Sequence, residues 1–223
     1  MQKKIKFLIQ YCLVAFAMTA GTTTLNAAAP KTVDFDAMYD LELDESLDQP
    51  KVNGDKTHRN IVSFQGELAN KLYRNGYLVE TMRNSEIVIV SIPCDQLFLP
   101  NDTILLSEGK KRIKPITEYL KNPGFYKMLL VMNSDNTGSE TYTLNLTRAR
   151  VNAVFDWMED EKINTDYVVP YAVGGTRPRE DMPNNSMANR RDNRRLEIYL
   201  VPFDWMIEQG KKGKIDFNKK PKK

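Results

Sequence analysis

Asp135 and Arg150 are the two residues whose types and positions raise a chemical question. They close the stretch VMNSDNTGSETYTLNLTRAR, residues 131–150, which leaves an apolar run, crosses a polar turn and enters an amphipathic helix. A carboxylate in a turn and a guanidinium on a helix edge are complementary, and the planar arginine fork reads a carboxylate bidentately. Two readings stand side by side. The pair is a site for a charged ligand, or Asp135 is a turn residue leading into the helix and Arg150 an edge charge paired with Asp156 or Glu159. The rest of the chain offers little catalytic chemistry. His58 is the one histidine, Cys94 lies near a strand end, and no zinc, nucleophile-elbow or phosphate-loop motif occurs, so no enzyme and no cofactor is expected. Asn133, Asp135, Thr137 and Gly138 have the look of a calcium loop, but the twelfth position is Leu144, which cannot close it, and no metal is expected.

The elements that position the pair follow from periodicity. Residues 86–93 (EIVIVSIP), 126–132, 167–173 and 194–201 (RRLEIYLV) read as strands, the last with one buried face at Leu196, Ile198 and Leu200. Between the first two, Ser107 reads as a helix cap, with Ile113, Ile116 and Leu120 on one face and a kink expected from Pro115. Ser134, Asp135, Asn136 and Gly138 form a turn, after which a helix over 141–160 carries Leu146, Ala149, Ala153 and Trp157 as its apolar row. The segment from Thr176 to Asp192 reads as irregular loop. The order strand, helix, strand, helix, strand, loop, strand implies an α/β fold of the α+β sandwich kind, a mixed four-stranded sheet with helices on one face. Upstream, Ile61, Phe64, Leu68 and Leu72 predict a helix ended by Asn75-Gly76, then a short strand, so 58–85 leads into the domain.

The ends have different characters. Lys3, Lys4 and Lys6 precede an apolar run from Phe7 to Ala20 and a small residue at Ala27, the plan of a secretory signal peptide over 1–27. Cys12 has no lipidation context, and Cys94 remains alone without a disulfide partner. The 223-residue chain carries a formal charge of +3, and removing three signal lysines leaves +3 − 3, near zero. Nucleic acid is therefore not an expected partner, and no transmembrane segment is expected after signal removal. Acids crowd an expected flexible lead-in over 28–57, and lysines an expected tail over 203–223. Such runs are usually solvated, with contact to an anionic partner as the alternative.

Several short motifs then fall into one register: Leu97-Phe98, Leu106-Ser107-Glu108-Gly109, Asp135-Asn136-Thr137-Gly138, Tyr142, Leu146-Thr147, Arg150, Gly175-Thr176-Arg177-Pro178 and Asn193-Arg194-Arg195-Leu196-Glu197-Ile198. Over 86–202 the chain resembles the OmpA-like C-terminal domain, the peptidoglycan-associating module also seen in Pal and MotB-type proteins. The resemblance implies a non-catalytic protein of the periplasm, associated with the outer membrane or cell wall, whose partner is the peptidoglycan stem peptide. It implies that Asp135 takes the ammonium and Arg150 the carboxylate of diaminopimelate, with Arg194 nearby. The backbone N–H groups of Asn136 and Thr137 would donate to ligand oxygens, and Thr143 occupies a ligand-facing position where asparagine is usual. Met132-Asn133-Ser134 stands where Gly-His-Thr is usual. The competing expectation is a structural component of an outer-membrane-associated assembly that uses the same fold to contact envelope proteins or itself.

Overall fold

The computed structural model describes residues 41–221. The expected signal peptide, and the lead-in as far as residue 40, lie outside the described residues. In chain order the elements are α1 (Leu43–Asp48), α2 (Asp55–Arg74), β1 (Leu78–Met82), β2 (Ile87–Pro93), α3 (Ser107–Thr117), β3 (Tyr126–Asn133), α4 (Glu140–Asp160), β4 (Val168–Gly174), α5 (Met187–Asn193), β5 (Arg195–Pro202) and α6 (Asp204–Lys212). The sheet has five strands in the order β1-β2-β5-β3-β4. Only β3 and β4 run parallel; the other neighbours are antiparallel. The sequence predicts four strands in the sheet, and the fifth is β1, which joins as an edge.

Why these segments form these elements is mostly a matter of face. Side chains alternate across a strand, so β5 sends Leu196, Ile198 and Leu200 to one side and Arg195, Glu197, Tyr199 and Val201 to the other. The first set joins the main core with Ile61 and Leu68 of α2, Ile113 and Ile116 of α3, Val151 and Val154 of α4 and Met206 of α6. Helix α2 ends where Gly76 takes φ +80°, with Tyr77 N–H donating to Leu72 O at 3.2 Å and Gly76 N–H to Tyr73 O at 2.9 Å. Helix α3 runs through Pro115 and tightens into a 3-10 turn at Glu118–Leu120; its cap position is Leu106, with Ser107 already helical.

Four expectations are corrected here. Helices do not occupy one face alone, because α1 closes the other. Leu43 and Leu47 pack on Ile89, Leu129, Val131 and Tyr199, so the acidic lead-in is not flexible throughout. Lys127, only 1 % exposed, donates to Ser46 O at 2.6 Å, Tyr171 Oη to Ser46 Oγ at 2.7 Å, and Arg83 Nη1 to Leu47 O at 2.8 Å. The segment after β5 is likewise folded rather than a loose basic tail. Trp205 Nε1 donates to Lys219 O at 2.6 Å, Asn122 Nδ2 donates to Phe217 O at 2.6 Å, and the Phe217 ring lies 5.1 Å from that of Phe125. Finally, the loop after β4 contains α5, whose cap Ser186 accepts from Asn189 N–H at 3.1 Å.

Candidate functional site

The end of β3 builds the anionic half. Pairing with β4 shifts register between Met132 and Asn133, and Ser134 N–H donates to Gly174 O at 2.7 Å. This bulge re-aims the chain so that Asp135 turns inward, 2 % exposed. Two glycines allow the close approach. Gly174 takes φ +55°, and a Cβ on Gly175 would stand 2.4 Å from Asp135 O. Asp135 Oδ1 accepts the Thr137 N–H at 2.8 Å, and Oδ2 is paired with Arg194 Nη1. Ser139 then caps α4, accepting Tyr142 N–H at 3.1 Å.

Helix α4 positions the cationic half. Its buried face runs through Thr143, Thr147, Arg150, Val151, Val154, Trp157 and Met158. This departs from the expected row: Ala149 is exposed and Leu146 half-buried. Two threonines can go inside because their hydroxyls are satisfied. Thr147 Oγ1 donates to Thr143 O at 2.9 Å and accepts Gly174 N–H at 3.1 Å, while Thr143 Oγ1 donates to Glu140 O at 3.0 Å. Arg150, 5 % exposed, turns to neither Asp156 nor Glu159. Its Nε donates to Asp102 O at 2.8 Å and its Nη2 to Leu99 O at 3.3 Å, with the guanidinium carbon 5.1 Å from the centre of the Phe98 ring. Those two bonds use the Nε and Nη2 edge of the fork, which fixes the plane of the guanidinium.

Cys94 lies where the two halves meet, its Sγ 3.6 Å from Met132 Sδ. Burial pushes the Cys94 thiol up to about 11, against the pull of the Arg150 and Arg194 charges and a hydrogen bond with Arg150. A buried thiol of that kind is no nucleophile. Behind the strand end, Arg195 is buried. Its Nε donates to Glu197 Oε1 at 2.8 Å, and Glu197 Oε2 accepts from Tyr199 Oη at 2.8 Å and Asn133 Nδ2 at 3.3 Å. Arg195 Nη1 also donates to Asn193 O at 3.1 Å, which fixes the residue beside Arg194.

Of the residues singled out by sequence, the structure brings Asp135, Arg150 and Arg194 to one pole of the sheet, with Asn136 exposed on the adjoining turn. It pairs Asp135 with Arg194 rather than with Arg150. Thr137 N–H already serves Asp135, and Thr143 faces into the helix and the Gly174 turn instead of the mouth. Sequence reasoning missed the loop from Leu99 to Asp102, because it acts through backbone carbonyls that no residue type encodes. Its one signal was Asp102 before Thr103, a turn former whose Oδ1 accepts Thr103 N–H at 2.7 Å. Among the described residues no three histidine, cysteine, aspartate or glutamate side chains gather as metal ligands, and no helix is long and apolar enough to cross a membrane.

No protein-family model and no curated protein matches the chain. Solved structures do. A MotB-like protein from Desulfovibrio vulgaris aligns with a TM-score of 0.56 at 16% identity, over 66% of this chain and 96% of that one. The cell wall anchor of the type VI secretion system (T6SS) from Pseudomonas aeruginosa aligns with a TM-score of 0.50 at 23% identity, over 65% and 99%. The OmpA-like domain of FopA1 from Francisella tularensis aligns at 0.41 and 20% identity, over 57% and 82%. The first two show a shared fold, and the chain has the OmpA-like fold.

Proposed function

We propose that this protein binds peptidoglycan without cutting it, in the periplasm, and recognises the diaminopimelate of the stem peptide through Asp135 and Arg150. One observation carries the reading: a buried carboxylate and a buried guanidinium, each held by backbone bonds, sit at one pole of a fold shared with a cell wall anchor. Diaminopimelate presents an ammonium and a carboxylate on one carbon. Each Asp135 oxygen keeps a lone pair beyond its present bond, and the planar Arg150 fork has donors beyond its two backbone bonds, of the geometry that suits a carboxylate. Arg194, with its side chain 41% exposed, can swing from Asp135 toward that carboxylate as the ammonium arrives.

Charged hydrogen bonds contribute about 1.5 to 3 kcal/mol each, so two give roughly 3 to 6 before the cost of association. One stem peptide therefore binds weakly, and a wall presenting many stems retains the protein through avidity. The test is sedimentation with purified peptidoglycan: the wild type should co-sediment and the double variant Asp135→Ala, Arg150→Ala should not. Undiminished retention of that variant removes the site from the reading. A second reading, a structural component of an outer-membrane-associated assembly, draws on the edge strand β1, where Leu78 and Met82 are exposed. It predicts co-purifying envelope proteins and no retention on bare wall.

A further inference from the structure

Tyr142 stands in the first turn of α4 and is substantially exposed, yet it touches both halves of the site. Its ring lies on Gly138, where a Cβ would come within 2.9 Å of Tyr142 Cδ1, and Gly138 belongs to the turn that carries Asp135. Its hydroxyl donates to Asn101 Oδ1 at 3.2 Å. Asn101 takes φ +56° at the tip of the loop whose Leu99 and Asp102 carbonyls hold Arg150. The lower half of that loop closes on itself, through Asp102 Oδ1 accepting from Thr103 and Ile104 N–H at 2.7 and 3.2 Å. The upper half is fastened to α4 at two points, Tyr142 and Arg150, eight residues and about 12 Å apart along a rigid helix.

We propose that the Tyr142–Asn101 contact is a latch that fixes the span between Asp135 and Arg150, and so makes the site selective for a ligand whose ammonium and carboxylate share one carbon. The proposal rests on the zwitterion-binding reading above. Its logic is one of distance. Bonds to the two carbonyls orient the Arg150 fork, and those carbonyls move with Asn101. The turn that orients Asp135 moves with Gly138. A side chain in contact with Asn101 and Gly138 together ties one orientation to the other, and it adds little to the core, since its ring stays partly in water. A lysine in place of diaminopimelate has no second carboxylate, so it gains nothing from a correctly spaced Arg150.

The test uses the full mature chain, with Tyr142→Phe and Asn101→Gly, which tolerates the left-handed backbone. Binding is measured against two synthetic stem peptides alike except for diaminopimelate or lysine at the third position. Loss of one neutral hydrogen bond should weaken the diaminopimelate peptide about three- to tenfold in either variant, leave the lysine peptide and the melting temperature unchanged, and give no further loss when both changes are combined. Unchanged selectivity, equal loss on both peptides, or losses that add in the double variant each overturn the latch. Failure of the wild type to distinguish the two peptides overturns the zwitterion reading and the selectivity drawn from it, and leaves open only whether the contact fixes Arg150. The latch is then decided by NMR exchange of the Arg150 Nε–H, which Tyr142→Phe must accelerate; an unchanged rate overturns it.

Discussion

Replacing Gly175 with alanine is the sharpest single perturbation the structure offers. Its backbone is not in the left-handed region, so a methyl group is resisted by space alone. The added Cβ would sit 2.4 Å from Asp135 O and 3.0 Å from Asp135 C, against backbone that has no flexible end to swing away. An ordinary contact needs about 3.5 Å, so the turn or the β4 exit must give by roughly 1 Å. Overpacking of this kind costs about 1 to 3 kcal/mol, which for a chain of this size lowers the melting temperature by roughly 2 to 12 °C. The same displacement exceeds the roughly 0.5 Å tolerance of a preorganised site, so wall retention should fall with it. Gly66→Ala is the matched control: a Cβ there meets nothing within 4 Å in the middle of α2, and alanine should raise stability by about 0.5 to 1 kcal/mol with retention unchanged. Calorimetry and co-sedimentation read both variants. A Gly175→Ala protein that melts with the wild type and still binds the wall refutes the claim that this glycine sets the position of Asp135.

Burial, with Arg83 adding to it, lowers Lys127 from 10.5 to about 8. Below pH 8 the buried lysine is charged at full cost. As pH rises through 8 it loses its proton while the unfolded chain keeps one, so its contribution to stability rises toward pH 10.5. Urea melts at pH 7.5, 8.5 and 9.5 should show the wild type gaining relative to Lys127→Met, and a constant difference would contradict the assignment. Glu197→Gln removes the carboxylate from buried Arg195 and should cost about 3 kcal/mol in a urea melt, with Tyr199→Phe costing far less. Because burial holds the Cys94 thiol near 11, iodoacetamide at pH 8 should leave it unmodified in the folded protein and alkylate it promptly in urea, as followed by mass spectrometry.

Strand β5 shows what the sequence made legible. Alternation at Leu196, Ile198 and Leu200 is a local property with one solution, a half-buried strand, and the motif order around it carried the fold. Helix α4 shows where periodicity misleads. Leu146 and Ala149 look like its buried row, yet Thr143, Thr147 and Arg150 take the inside because distant partners, Gly174 N–H and the carbonyls of Leu99 and Asp102, satisfy their polar atoms. Charge density misled at both ends for a related reason. A few apolar residues among many charges, Leu43 and Leu47 before the domain and Ile215 and Phe217 after it, suffice to dock a segment whose composition reads as solvated. The candidate site followed the same division: residue types singled out Asp135 and Arg150 and the family resemblance added Arg194, while the partners they take, Arg194 for Asp135 and the Leu99 and Asp102 carbonyls for Arg150, depend on tertiary structure the sequence does not display.

In the proposed site, the ion pair between Arg194 and Asp135 makes the arginine a competitor tethered to its own receptor. A cation on a short leash has an effective concentration far above that of any free peptide, so the intrinsic affinity of Asp135 for an ammonium is multiplied by the fraction of time Arg194 is away. Ligand binding becomes an exchange of counterions with little change in net charge, and its dependence on salt should be shallow. Association is gated by release of the arginine, whereas dissociation is assisted by its return. A protein with many copies of its ligand around it would then bind each one briefly and move between neighbours, held to the wall as a whole without being fixed to any one stem.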